Sequence, residues 1–274
     1  MNPDARGLTP LFPYASVRAV LLDLDGVMYR GPKLCHGAGE FVAFLRKRGI
    51  KPFFLSNNSR AGADVVARKL TDLGVPASDQ EVVTAAETLV EYMARRTAKG
   101  SVYVIGSEWV CQQLETSGWR LTESRPDCLV VGLDHDLRYS KLQIGVDALQ
   151  AGAQFVAINH DPVNPIEGTL EPGCGCIAAS LEMAMSRRSL CIGKPSLRML
   201  RKALSRLNVG VEQTLMVGDS LVSDMLMARR GHTHSALVLS GQTSRAMVDR
   251  LPARQRPEIV TDDLASLLLL WESA

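Results

Sequence analysis

Two kinds of stretch alternate along this chain. Short apolar runs, mostly β-branched, aliphatic and aromatic with hardly a polar spacer, occur at 17–22, 51–55, 101–105, 128–131, 154–158, 214–217, 236–239 and 258–260. Such runs read as strands buried on both faces, as in a parallel sheet. Between them, apolar residues recur every three or four positions. Phe41, Phe44 and Leu45 share a face in a helix over 40–48 that Gly49 stops; Val66, Leu70 and Leu73 do the same before Gly74. The same spacing predicts helices over 83–96, 108–116, 139–150, 178–185, 196–207 and 264–270. Strand and helix in strict alternation is the grammar of a doubly wound α/β fold. The pattern restarts near Pro76, and the segment 159–175, rich in proline and glycine, reads as one long loop.

Polar residues collect where the strands end. The first run closes in Asp23 and Asp25, one residue apart, followed by Gly26. Unpaired carboxylates inside a sheet are costly, so this strand is expected to surface there, at the carboxyl edge where open α/β sheets hold ligands; a plain Asx-type turn is the alternative. Ser56-Asn57-Asn58-Ser59 lies between a strand and a helix. That is a place for an anion on unpaired N–H groups, or simply for N-caps. A strand over 190–195 ends in Lys194, and 214–217 leads through a glycine to Asp219 and Asp224. In a single parallel sheet all these ends share one edge. Carboxylate oxygens suit Mg²⁺, and a lysine suits a phosphate. Together they describe a phosphoryl-transfer site, with a carboxylate available as nucleophile and a second as acid and base.

Composition narrows the partners. A formal charge of +2, with 31 basic and 29 acidic residues and no basic block, gives nucleic acid no footprint. No run approaches the ~20 apolar residues of a membrane span, and the start has no apolar leader core. Residues 1–15 read as a loosely held arm. The six cysteines show no CxxC and no neighbouring histidines at zinc spacing, which fits reduced thiols in a cytoplasmic protein.

Asp23-Leu24-Asp25-Gly26, Ser56-Asn57-Asn58-Ser59, Gly193-Lys194-Pro195 and Gly218-Asp219 through Asp224 together resemble the four ordered motifs of the haloacid dehalogenase (HAD) superfamily. The resemblance is closer still to its subfamily IIA, the NagD-like, p-nitrophenylphosphatase-like and phosphoglycolate or pyridoxal-phosphate phosphatases. Val131-Gly132-Leu133-Asp134, Tyr139-Ser140-Lys141-Leu142 and Pro172-Gly173-Cys174-Gly175 are similar to signatures of that subfamily's cap. The resemblance implies a doubly wound parallel-sheet, Rossmann-like core from 16–77 and 189–274, with a large α/β cap inserted at 78–188. It implies a Mg²⁺-dependent phosphatase of a small phosphorylated metabolite, such as a nucleoside monophosphate, sugar phosphate or phosphoglycolate. Asp23 would be the nucleophile and Asp25 the general acid and base. The metal would sit on Asp23, the Asp25 carbonyl and Asp219, supported by Asp224, and Ser56, Asn57, Asn58 and Lys194 would hold the phosphoryl group. In the cap, Asn159, His160, Asp161 and Asn164 are expected to touch substrate, and a homodimer through the cap follows by resemblance. Two positions depart from the family pattern: His160 stands where many relatives carry proline, and Ser220 where arginine is frequent.

Rival readings are a phosphotransferase or mutase on the same scaffold, or a ligand-binding relative without catalysis. Gly173-Cys174-Gly175-Cys176-Ile177-Ala178 has a nucleotide-fingerprint spacing but follows a loop rather than a strand. Gly193-Lys194 lacks the rest of a Walker loop. Cys174 and Cys176 read as helix-lining thiols ahead of a redox pair, His135, His232 and His234 as surface residues, and the leucine run 267–270 as core.

Overall fold

Residues 14–96, 99–166 and 169–273 are described by the structure, a computed structural model. The chain opens with β1 (Ala19–Asp23), a small hairpin of β2 (Tyr29–Arg30) and β3 (Lys33–Leu34), α1 (Ala38–Lys47), β4 (Lys51–Ser56), α2 (Ala63–Asp72), β5 (Val82–Thr84) and α3 (Ala85–Ala94). A second series follows: β6 (Ser101–Ile105), α4 (Glu108–Thr116), β7 (Arg120–Leu121), β8 (Cys128–Val131), α5 (Tyr139–Gln150), β9 (Gln154–Ala157), β10 (Val163–Ile166), β11 (Thr169–Pro172), α6 (Cys174–Met185) and β12 (Leu190–Cys191). The chain ends with α7 (Leu197–Leu207), β13 (Thr214–Gly218), α8 (Asp224–Gly231), β14 (His234–Val238), α9 (Arg245–Asp249), β15 (Ile259–Thr261) and α10 (Leu264–Glu272). The arm expected over 1–15 lies outside the described residues, save for the short 3₁₀ turn Tyr14–Ser16.

Six strands in the order β15-β14-β13-β1-β4-β5 form a wholly parallel sheet. Strand order reverses between β1 and β13, the point where the loops at the carboxyl ends diverge and leave a crevice. β1 is buried on both faces. Ala19 and Leu21 point into one apolar cluster, which includes Met199 and Met227, while Val20 and Leu22 point into another with Phe41, Val66 and Trp271. That two-sided burial explains why the sequence here shows no polar alternation. A second sheet, β12-β9-β8-β6-β7, is also parallel and carries the additional cap region.

Four expectations change. The helix expected over 83–96 begins later, because β-branched Val82, Val83 and Thr84 pair with Phe54, Leu55 and Ser56 as an edge strand. Thr84 then caps α3 by accepting from the Glu87 N–H at 3.1 Å. The supposed long loop 159–175 contains the antiparallel pair β10 and β11, in which Asn164 faces Glu171. A free-standing two-stranded pair tolerates proline where a central strand does not. The leucine run is only half core: Leu264, Leu267 and Trp271 are buried at helical spacing, whereas Leu269 is 67% exposed. Finally, the strand that leads to Lys194 is not on the main sheet at all. β12 pairs with β9, Leu190 opposite Val156 and Cys191 opposite Ala157, and so belongs to the second sheet.

The core assignment can be checked in α1 and α10. Phe41 is fully buried, its ring centroid 5.6 Å from that of Trp271. Phe41→Ala is expected to lower stability by about 3–5 kcal/mol in urea unfolding, and Leu269→Ala by less than about 0.5 kcal/mol.

Candidate active site

Asp23 is the last residue of β1, where the strand leaves the core. Its Oδ1 accepts from the Leu24 N–H at 2.7 Å and from Lys194 Nζ at 2.6 Å. Asp219 follows β13, the strand beside β1. Its Oδ2 accepts from the Gln242 N–H at 2.8 Å and its carbonyl from Thr243 Oγ1 at 2.5 Å. Asp224, fully buried at the start of α8, accepts from the Asp219 and Ser220 N–H groups through Oδ2 at 3.2 and 3.1 Å. Its Oδ1 makes an ion pair with Lys194 Nζ at 2.8 Å. Lys194 is 2% exposed and reaches the cluster from the turn after β12, donating also to the Leu55 carbonyl at 3.4 Å. One oxygen each of Asp23, Asp219 and Asp224 lies within 4.8 Å of the others.

This packing depends on two residues without side chains. Gly26 sits at φ +83°, and a Cβ there would stand 2.5 Å from Asp219 Oδ2; a Cβ on Gly241 would overlap the same oxygen. Ser240 Oγ donates to the Gly26 carbonyl at 2.7 Å and ties the two turns together. The 240–243 loop thus frames Asp219, a role the sequence reading did not assign. The signal was present: these polar residues follow the strand at 236–239 on the same sheet edge as Asp23.

Three carboxylates face one ammonium, which leaves two negative charges uncompensated. Burial, then the neighbouring Asp224 carboxylate, pushes the Asp219 carboxyl up to about 6. Burial and Asp224 likewise hold Asp23 well above the usual carboxylate range, against the pull of Lys194. Burial alone would lower the Lys194 ammonium, but Asp224 and Asp23 more than reverse it, so the lysine stays charged. Asp219 Oδ1 is buried with no hydrogen-bond partner among the described residues. Crowded hard oxygens, a formal charge of minus two when all three acids are ionised, and an orphaned acceptor fit a small divalent cation. Asp25 stands apart from the cluster. Its side chain is open to solvent, yet surrounding protein raises its carboxyl, with Lys69 and Lys194 opposing.

The other expected site residues divide into two groups. Ser56 is buried beside this cluster at the end of β4, its Oγ accepting from the Asn58 N–H at 3.1 Å, which leaves its proton free to donate. Asn57 and Asn58 instead use their side chains within the protein. Asn58 Oδ1 accepts from the Arg60 and Ala61 N–H groups. Asn57 Nδ2 donates to both oxygens of Asp161, at 3.1 and 2.9 Å, and its Oδ1 accepts from the Lys194 N–H at 2.7 Å. The Asn57 amide is thus engaged at both ends, and the Asn58 side chain through its oxygen. Of the cap residues, Asn159 Nδ2 donates to the Asn57 carbonyl at 2.6 Å, and Asp161 joins it there. His160 turns away to Ser189 and Glu182, with Nε2 at 2.7 Å from Ser189 Oγ, and Asn164 donates to Glu171 at 3.4 Å. The structure brings Asn159 and Asp161 to the site and engages His160 and Asn164 elsewhere.

Comparison with known proteins identifies relatives of this chain. A profile for haloacid dehalogenase-like hydrolases matches residues 20–120, and a second, HAD-hydrolase-like, matches 191–267. The 5'-nucleotidase YutF of Bacillus subtilis (strain 168) is 34% identical over 228 residues, covering 83% of this chain and 89% of the relative. The chain belongs to the haloacid dehalogenase-like hydrolase family. Among solved structures of this family, 4-nitrophenylphosphatase from Thermotoga maritima superposes with a TM-score of 0.85 at 29% identity, covering 93% of this chain and 97% of that one. Glycerol phosphate phosphatase from Mycobacterium tuberculosis, in complex with magnesium, gives 0.83 at 32%, covering 93% and 77%.

The crowded acids make a prediction about pH. A carboxyl raised to about 6 in the folded protein binds a proton that the unfolded chain has already lost. Its contribution to stability is therefore full below the unfolded value near 4 and is lost as pH rises through 6. A divalent cation bound there would replace that proton. Added Mg²⁺ is expected to raise Tm more at pH 7.5 than at pH 5, by differential scanning fluorimetry, and an Asp219→Asn variant is expected to lose most of the difference.

Proposed function

We propose that this HAD-like hydrolase is a Mg²⁺-dependent phosphatase of a small phosphorylated metabolite, acting through an aspartyl-phosphate on Asp23. The observation that carries this reading is the Asp23, Asp219 and Asp224 cluster about Lys194 at the reversal of strand order, with one buried oxygen left unpaired. Asp23, Asp219 and the Asp25 main-chain carbonyl would hold the metal, while Asp224 holds Lys194 and the turn after β13. Bound there, magnesium would offset the two excess negative charges and draw charge from the phosphoryl oxygens.

The chain's own groups supply the remaining chemistry. Both hydrogen bonds to Asp23 fall on Oδ1, which leaves Oδ2 to attack phosphorus. As the new O–P bond forms, the bond from phosphorus to the leaving oxygen breaks, and that oxygen takes the proton of Asp25. The raised, solvent-facing carboxyl of Asp25 is suited to carry it. Asp25, now a carboxylate, takes a proton from water; the water oxygen attacks phosphorus, and phosphate leaves with Asp23 restored. Lys194 and the Ser56 hydroxyl balance the phosphoryl oxygens throughout. Relatives named for a nucleotide, glycerol phosphate and 4-nitrophenyl phosphate support a small monoester as substrate.

Phosphate release from a panel of nucleotides, sugar phosphates, glycerol phosphate and phosphoglycolate tests the class and ranks the substrates. Asp23→Asn is expected to fold and to lose at least roughly a thousandfold in kcat; turnover within tenfold of the parent would refute the covalent route. Asp25→Ala is expected to release a burst of about one p-nitrophenol per site and then stall, because p-nitrophenolate leaves unaided while the phospho-enzyme waits for its base. A linear time course with no burst would remove Asp25 from the second step.

A further inference from the structure

We infer that Asp161 is a positioning residue for the phosphoryl-binding lysine, acting through the side-chain amide of Asn57. The inference deepens the phosphatase reading above and rests on it. Three loops meet at this amide: the end of β4, the turn after β9 and the turn after β12. Asn57 grips the Lys194 backbone from both sides, its Oδ1 accepting from the N–H at 2.7 Å and its Nδ2 donating to the carbonyl at 3.3 Å. The preceding Gly193 N–H donates to the Ile158 carbonyl at 2.7 Å. The stretch that presents Lys194 Nζ to Asp23 and Asp224 is thus fixed by hydrogen bonds on consecutive peptide units.

An amide can make these bonds only one way round. Turned over, it would set Nδ2 against the Lys194 N–H, donor against donor. Asp161 reinforces this orientation, because its two oxygens, at 3.1 and 2.9 Å, accept only from the NH₂ end. Asp161 is itself placed by Asn159, whose Oδ1 accepts from the Asp161 N–H at 3.0 Å while its Nδ2 donates to the Asn57 carbonyl at 2.6 Å. Asp161 therefore sits in the cap region with both oxygens turned to a side chain of the main-sheet loop. Its effect falls on the phosphoryl group, which every substrate shares, and not on the leaving group.

Calorimetric titration of inorganic phosphate into the Mg²⁺-loaded protein, paired with kcat and KM on two substrates of unlike leaving group, tests this. Asp161→Ala and Asn57→Ala are each expected to weaken phosphate binding by about tenfold, and the double variant by no more than either single one. Asp161→Asn, which keeps one carbonyl oxygen as acceptor, is expected to recover most of the loss. The loss in kcat/KM on Asp161→Ala is expected to be equal for both substrates, with Tm recorded so that an unfolded variant is recognised. Phosphate affinity within twofold of the parent, additive single effects, or a loss that follows the leaving group overturns the inference while the parent still turns over. A parent that neither binds nor releases phosphate overturns the phosphatase reading as well.

Discussion

Like charge held at close range is the constraint that shapes this molecule. Three carboxylates converge within a few ångströms at the edge of one sheet, with a single buried ammonium among them. Left to themselves they would separate or neutralise. Backbone geometry keeps them together. Asp23 cannot retreat because β1 is paired on both sides, and Asp219 is pinned through Gln242 and Thr243. Asp224 is locked to the turn it starts from. The scaffold thus holds like charges at a range that a bound divalent cation would relieve.

The sequence carried the main sheet clearly because its central strands are buried on both faces and have no polar register to blur. β1, β4 and β13 stand out as apolar runs with acids or a serine at their ends, so Asp23, Ser56 and Asp219 could be read from position alone. Lys194 and Asp224 were read in the same way, but that the lysine arrives from the second sheet and that both side chains are buried against each other was visible only in the structure.

What escaped the sequence was partner choice. Asn57 has the right chemistry for an anion, yet its side chain closes a loop, because an asparagine at a strand end is offered backbone groups long before a ligand arrives. His160 lies between Asn159 and Asp161 but faces Ser189, since consecutive residues of an extended loop point to opposite sides. Gly241 was passed over for the opposite reason: its contribution is the absence of an atom, visible only once Asp219 is beside it.

The pairing of β12 with β9 has a bearing on modularity. The lysine that meets Asp23 leaves a strand belonging to the second sheet, and enters the main domain only through the turn at Gly193 and Pro195. A graft that exchanged the inserted portion wholesale would sever that strand from its neighbour and set the ammonium adrift, even with every acid intact. An exchange confined to parts distal to β9 and β12 would leave that pairing, and the approach of Lys194 to Asp23, in place.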